Sequence, residues 1–500
     1  MPETYGSGVA FLDCDNDGML DLYFVNGGRL PGLSTAPLAH NALYHNQGDG
    51  TFAEITESSD TGDTGYGMGV AVGDYDNDGD ADLYVTNFGP SKLYRNEGQG
   101  RFSDFTAQAG VGDGGWSSSA AFADVDLDGA LDLYVCKYLD YPVKDPLTCL
   151  VGNSSERLYC DPRKFPGQQD RFYHNLGPAQ GWRFADWTER MGLAKTQGKE
   201  LGVVFGDLDL DGDLDLYLAN DMAPNALYRN EGSRFVERGL ASGTSLSLEG
   251  KVQAGMGVDL GDYDNDGRPD LFVTNFQWES NSLYRNLGNG FFADMAVESG
   301  LYQLSFPYLG FGTGFLDADG DGDLDIFVAN GHVYDNVERI DPAASYAQRS
   351  QLLLNQGKGR FVEAQDAGPG LEPARVSRGA AFGDFDNDGD TDIALNNSGG
   401  WASLLRNEGS KPHWLGIRLK GRQSNRDAVG AQVRVRAGGQ EQWRQVRGGG
   451  SYLSAHDLRL LFGLGAHSAA EQVEVRWPSG AVQQLGGVKA DQYLTIEEPE

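Results

Sequence analysis

The sequence has no run of eighteen apolar residues, which excludes a membrane-spanning helix. It does not open on a secretion signal either: MPETYGSGVAF carries neither a basic start nor an apolar core. Basic residues are few, 39 against 73 acidic, giving a formal net charge of -34. Such a chain repels phosphate backbones, which argues against a nucleic-acid partner. Cysteines number four. Cys14 and Cys136 read as isolated buried thiols, while Cys149 and Cys160 are spaced to permit a small disulfide in an irregular insertion. No GxSxG, HExxH or Walker loop occurs, and of only seven histidines His332, in NGHVYD, is the most suggestive.

What is present argues for a folded protein. With 40% hydrophobic and 11% aromatic residues, 500 positions can bury a sizeable core in two or three domains. Glycine, at 71 residues, is about twice as frequent as usual without a collagen period, which predicts many tight turns and short strands.

One acidic cluster recurs seven times: DCDNDGMLD (13–21), DYDNDGDAD (74–82), DVDLDGALD (124–132), DLDLDGDLD (207–215), DYDNDGRPD (262–270), DADGDGDLD (317–325) and DFDNDGDTD (384–392). A small-residue apolar stretch such as GMGVAV or RGAAF precedes each copy, and an alternating run such as LYVTN or LFVTN follows. Then come LYRN or a variant, a glycine turn and usually a phenylalanine, as in LYRNEGQGRF. Successive first aspartates lie 61, 50, 83, 55, 55 and 67 residues apart. Three or four strands per unit at this period predict an all-β fold, a seven-bladed β-propeller over residues 1–410. The competing repeat fold, a parallel β-helix, has far shorter coils.

The spacing DxDxDGxxD places oxygen donors at loop positions 1, 3, 5 and 9, with glycine at 6 for a sharp turn. Hard oxygen ligands in that number suit Ca²⁺. The candidate ligands are Asp13, Asp15, Asp17 and Asp21; Asp74, Asp76, Asp78 and Asp82; Asp124, Asp126, Asp128 and Asp132; Asp207, Asp209, Asp211 and Asp215; Asp262, Asp264, Asp266 and Asp270; Asp317, Asp319, Asp321 and Asp325; and Asp384, Asp386, Asp388 and Asp392. An EF-hand needs a glutamate at position 12, which here is apolar throughout: Phe24, Val85, Val135, Leu218, Val273, Val328 and Leu395. The chain therefore leaves each loop as a strand. The bland reading of a single copy is an acidic surface turn; recurrence of the fourth aspartate in register weighs against it. The recurrent asparagines, Asn46, Asn96, Asn230, Asn286, Asn355 and Asn407 among them, read as turn caps, and Asn153-Ser154-Ser155 as a sequon of little weight.

Near residue 410 the repeat stops, and EGSKP reads as a junction. Residues 411–500 hold 12 Lys/Arg against 9 Asp/Glu. Runs such as WLGIRLKG, AQVRVRA, QWRQVRG and EQVEVRW look like half-buried antiparallel strands, predicting a compact β domain, a small sandwich, over 411–500.

The acid loops with their leading glycine-rich strands resemble FG-GAP/VCBS calcium repeats, as in the integrin α-subunit propeller. YLANDMAPNALYRN (217–230), FVANGHVYD (327–335) and the tail motifs HWLGIRLKGRQSNRDAVGAQVRV, LLFGLG and VEVRWPSG resemble the cartilage acidic protein family with its ASPIC/UnbV domain. The resemblance implies Ca²⁺ at the seven loops and no catalytic residue. Similar proteins carry a further strand and a secretion signal ahead of the first glycine-rich run, so a truncated start is expected, with the clasp that closes the propeller lying before it.

Two functions follow. The first is a non-enzymatic, calcium-binding extracytoplasmic module, secreted, periplasmic or on the cell surface, that adheres to a protein or glycan; loops of modest affinity fill with calcium outside the cytoplasm. The alternative is a propeller enzyme or biosynthetic accessory acting on a polysaccharide or small molecule, with His332 as its best residue.

Overall fold

Each small-residue stretch ahead of an acid cluster is an extended strand, and each cluster turns the chain back into a second one. This computed structural model describes the chain apart from residues 31–38, 153–155, 195–197 and 410–411, so the sequon at Asn153 and part of the EGSKP junction lie outside the described residues. The protein is all-β. The first strands are Val9–Leu12, Gly67–Gly73, Ser117–Ala123, Glu200–Gly206, Val258–Gly261, Gly310–Leu316 and Ser377–Gly383. Each pairs antiparallel with the strand that begins at the ninth loop position, and the LYRN run adds a third. Sheets 1 to 6 have four strands in sequence order. Sheet 7 has three among the described residues, and its LLRNEG run (404–409) is not followed by the phenylalanine seen in other copies.

The first strands of consecutive sheets are neighbours, and those of sheets 7 and 1 also lie together. Sheets 1 and 7 thus lie side by side. Small residues make the approach possible: a Cβ on Gly312 would lie 2.6 Å from the Ala380 nitrogen. The insertion in sheet 3 forms a hairpin, Cys149–Leu150 with Arg157–Leu158, and Cys149 and Cys160 are disulfide-bonded. Cys14 and Cys136 are buried free thiols.

The tail (residues 412–500) forms two sheets. One orders Leu460–Gly465, His413–Lys420 and Gln492–Glu497; the other orders Gln440–Gln445, Gln432–Ala437, Ala469–Arg476 and Val482–Lys489. The antiparallel expectation fails at one pair. His413–Lys420 and Gln492–Glu497 run parallel, which the long intervening connection allows.

The QWRQVRG run is also not wholly strand. Its strand ends at Gln445, and residues 446–458 leave the tail to run between the sheets of the repeat region. There they bond to all seven first strands. The Phe11 amide donates to the Ala455 carbonyl (3.2 Å), that of Val70 to Leu453 (3.0 Å), that of Phe205 to Gly448 (3.1 Å) and that of Val258 to Ser451 (3.0 Å). The Leu453 amide donates to Ser119 Oγ (3.0 Å), Ser451 Oγ accepts from the Thr313 amide (3.1 Å) and donates to the Ala380 carbonyl (2.7 Å), and the Asp457 amide donates to the Phe382 carbonyl (2.9 Å). Strand edges that would otherwise hold unpaired polar groups are satisfied by one segment. Glycine is required here, since a Cβ on Gly448 would sit 1.7 Å from the Phe122 carbonyl oxygen.

Candidate metal centres

The acid loops share one backbone path. Position 6 has positive φ in every copy, from 82° at Gly267 to 101° at Gly212, the turn that glycine adopts most cheaply. Position 4 is left-handed as well: Asn16, Asn77, Asn265 and Asn387, Gly320, and, against ordinary preference, Leu127 and Leu210. This turn folds the carboxylates inward. The position-1 Oδ2 accepts the position-6 amide, at 2.8 Å for Asp74, Asp262 and Asp384 and 2.9 Å for Asp317.

The ninth position anchors the loop. Asp21, Asp82, Asp132, Asp215, Asp270, Asp325 and Asp392 are all at most 2% exposed. Each gives Oδ2 to the position-2 amide and Oδ1 to the amide of the LYRN-type asparagine, as in Asn286 to Asp270 (2.7 Å) and Asn355 to Asp325 (2.7 Å). The asparagine side chain caps the following turn, as its recurrence predicts, and does something more. Its Nδ2 donates to a carbonyl in the preceding sheet's acid loop: Asn96 to Cys14 (2.9 Å), Asn175 to Tyr75 (2.9 Å), Asn230 to Val125 (2.9 Å), Asn286 to Leu208 (2.8 Å), Asn355 to Tyr263 (2.8 Å) and Asn407 to Ala318 (2.9 Å). Asn46 completes the cycle by donating to Phe385 of sheet 7 (2.8 Å). Asn175, in FYHN, belongs to this set although the LYRN pattern alone misses it.

Carboxylates of the loops converge. In loops 1, 2 and 3, groups such as Asp13, Asp15 and Asp17, or Asp74, Asp76 and Asp82, or Asp124, Asp126 and Asp128 bring oxygens within 4.8 Å of one another. Oxygens at about 2.3–2.6 Å from one Ca²⁺ can be no farther apart than about 5.2 Å, and these groups fall inside that span. Oδ1 of Asp13, Asp76, Asp207, Asp264, Asp317 and Asp386 is buried with no hydrogen-bond donor. Buried acceptors without a partner are rare in native folds, and these belong to six of the seven loops. Burial pushes Asp124, Asp262 and Asp317 up to about 7, and Asp215, Asp325 and Asp392 up to about 8. Such a carboxylate-rich donor set could hold a hard divalent cation.

Sequence reasoning missed the residue just before the asparagine. Arg229, Arg285 and Arg406 place Nε 2.6–2.7 Å from the position-3 carboxylates Asp209, Asp264 and Asp386. In sheets 1 and 3 histidine stands there: His45 Nδ1 lies 3.1 Å from Asp21, and His174 Nδ1 lies 2.9 Å from Asp132. The R/H alternation in LYRN, LYHN and FYHN was the available signal.

His332, by contrast, is 2% exposed. Its Nδ1 accepts the Tyr334 amide (3.0 Å), its carbonyl accepts from Arg378 Nη2 (3.0 Å), and burial with the Arg378 charge holds the imidazole down at about 4. This neutral, enclosed ring is built into the packing.

Comparison with known proteins agrees with the repeat. A model of the FG-GAP-like repeat matches residues 13–85, 74–135, 207–273, 262–328 and 335–395, and a model described as ASPIC and UnbV matches 421–500. The chain belongs to the FG-GAP-like repeat family, with an ASPIC/UnbV segment at its end. Among curated proteins it is similar to cartilage acidic protein 1 of Xenopus tropicalis, 28% identical over 58% of this chain and 43% of that one. The human protein of that name is 26% identical over 62% and 46%. The chain spans under half the length of the curated relatives it matches. A solved Agrocybe aegerita lectin, described as recognising non-reducing terminal N-acetylglucosamine, aligns at 14% identity over 80% of this chain and 94% of that one, with a TM-score of 0.43.

Proposed function

We propose that the repeat region is a closed seven-bladed β-propeller whose acid loops each hold Ca²⁺, and that the protein acts without catalysis as an extracytoplasmic module binding a protein or glycan. The observation that carries the metal reading is the set of buried, donor-less carboxylate oxygens turned into loops of identical path. The Asn46-to-Asn407 cycle, each residue reaching the preceding sheet and the first reaching the last, supports closure. The Cys149–Cys160 bond favours an oxidising compartment.

The partner surface lies at the strand ends away from the acid loops, because the tail is seated on the acid-loop side. Two long connections, 138–170 and 331–350, meet there. Asn336 Nδ2 donates to the Arg157 carbonyl (3.0 Å), and the Tyr159 and Tyr334 rings stack at 6.3 Å. Enclosure of His332 removes the residue that best served the enzymatic alternative.

Calorimetric titration of chelated protein with Ca²⁺ tests the metal reading: multi-site binding is expected, and absence of heat would overturn it. Retention on a glycan array or by surface proteins, without product release, is expected for the binding reading. Release of reducing ends from a polysaccharide would overturn the non-enzymatic half.

A further inference from the structure

The tail touches the position-1 aspartate of six acid loops. Arg418 Nη1 lies 3.6 Å from Asp13, and Asp427 accepts the backbone amide of Asp74 (2.7 Å). Asn425 Nδ2 approaches Asp124 Oδ2 (3.5 Å), Gln432 Nε2 donates to Asp207 Oδ2 (3.0 Å), the Gly463 amide donates to Asp317 Oδ2 (3.2 Å) and Tyr493 OH donates to Asp384 Oδ2 (2.7 Å). At the carboxylates of Asp124, Asp207, Asp317 and Asp384 the donor is neutral and takes Oδ2, which leaves Oδ1 turned toward the loop interior. Neutral donors gain little from surplus negative charge; they gain from a carboxylate held in one orientation. Asp427 would be repelled by an uncompensated loop 2.

From this geometry we infer that the tail is a cation-dependent latch: its donors fix the first carboxylate of the acid loops, so that seating of residues 446–458 and divalent-cation binding favour one another. The inference rests on the reading of the acid loops as Ca²⁺ sites. Reciprocity is thermodynamic. Whatever the cation adds to tail docking, docking adds to cation affinity. Gln432 and Tyr493 act as positioning residues, reaching the cation only through Asp207 and Asp384.

Hydrogen exchange on the full chain, in Ca²⁺ and in EGTA below the metal-free melting temperature, reads the latch directly. The Gly450, Leu453 and Ala455 amides, which donate to Val203 O, Ser119 Oγ and Val9 O, are expected to exchange about tenfold faster in EGTA, while second-strand amides such as those of 271–273 stay protected. Calorimetry on the same samples separates the two readings. If Ca²⁺ binds and 446–458 keeps its protection, the latch is overturned and the metal sites stand; if no Ca²⁺ binds, both fall. Uniform loss of protection throughout the repeats would also overturn it, since the segment would then be ordinary core. The double variant Gln432→Ala/Tyr493→Phe gives the reciprocal reading. Its Ca²⁺ affinity is expected to drop about fivefold with cooperative melting retained; unchanged affinity would contradict positioning.

Discussion

The acid loops and the 446–458 segment satisfy buried backbone in opposite ways. Each acid loop repeats one device, a carboxylate pair and an asparagine that tie a loop to its own third strand and to the preceding sheet. The axial segment repeats nothing. It reaches seven similar strands with unlike groups: the carbonyls of Gly448, Ser451, Leu453 and Ala455, two hydroxyls and an imidazole. A periodic assembly can therefore stitch its neighbours with periodic residues, whereas the seven first strands are joined to one asymmetric segment. Damage to a single loop should stay local, and damage to the segment should not.

The largest contrast comes from replacing one glycine. Gly448→Val pushes a side chain into the Phe122 carbonyl and is expected to cost about 3–5 kcal/mol, measured by urea unfolding, because neither segment nor strand can shift without breaking other bonds. A cost below about 1 kcal/mol would mean the segment is loosely held. Asn286→Ala removes one stitch. It leaves the Leu208 and Pro269 carbonyls without that donor, and a loss of about 1–3 kcal/mol is expected by the same assay.

Acidity sharpens the loops' side of the contrast. Without metal, Asp215, Asp325 and Asp392 titrate near 8, well above the usual carboxylate value of about 3.9. A raised folded value favours the native state at low pH and loses that contribution as pH climbs through it. In EGTA the melting temperature is therefore expected to fall between pH 5 and pH 8, and in Ca²⁺ the slope should flatten, as differential scanning fluorimetry would record. The smallest effect is a gain. Leu127 and Leu210 hold left-handed φ of 59° and 65° at a loop position where asparagine stands in four other copies. Leu127→Asn and Leu210→Asn are each expected to stabilise by about 0.5–1 kcal/mol, scored from urea midpoints.

The same contrast explains what could be read before folding. Repetition made the aspartates legible as candidates, because seven copies in register carry more weight than one turn motif, and the same repetition marked the four-strand unit. Asn175 escaped because FYHN departs from LYRN at two positions and follows a long insertion, and Arg229 or His45 escaped because the alternation of Arg and His before the asparagine was not read as a signal. The axial segment was hidden for a different reason. RGGGSYLSAHD has the composition of an ordinary connection, and its partners lie far off in the chain, 71 positions away at Ala380 and 445 at Val9. Charge balance located the tail's boundary but not its docking, which combines neutral groups such as Gln432, Asn425 and Tyr493 with charged ones such as Arg418 and Arg447.

The most direct test is thermal unfolding of the full chain in Ca²⁺ and in excess EGTA. If the acid loops hold divalent cations, the midpoint falls substantially on chelation and returns when Ca²⁺ is restored. An identical midpoint in both buffers would reduce the seven loops to acidic turns.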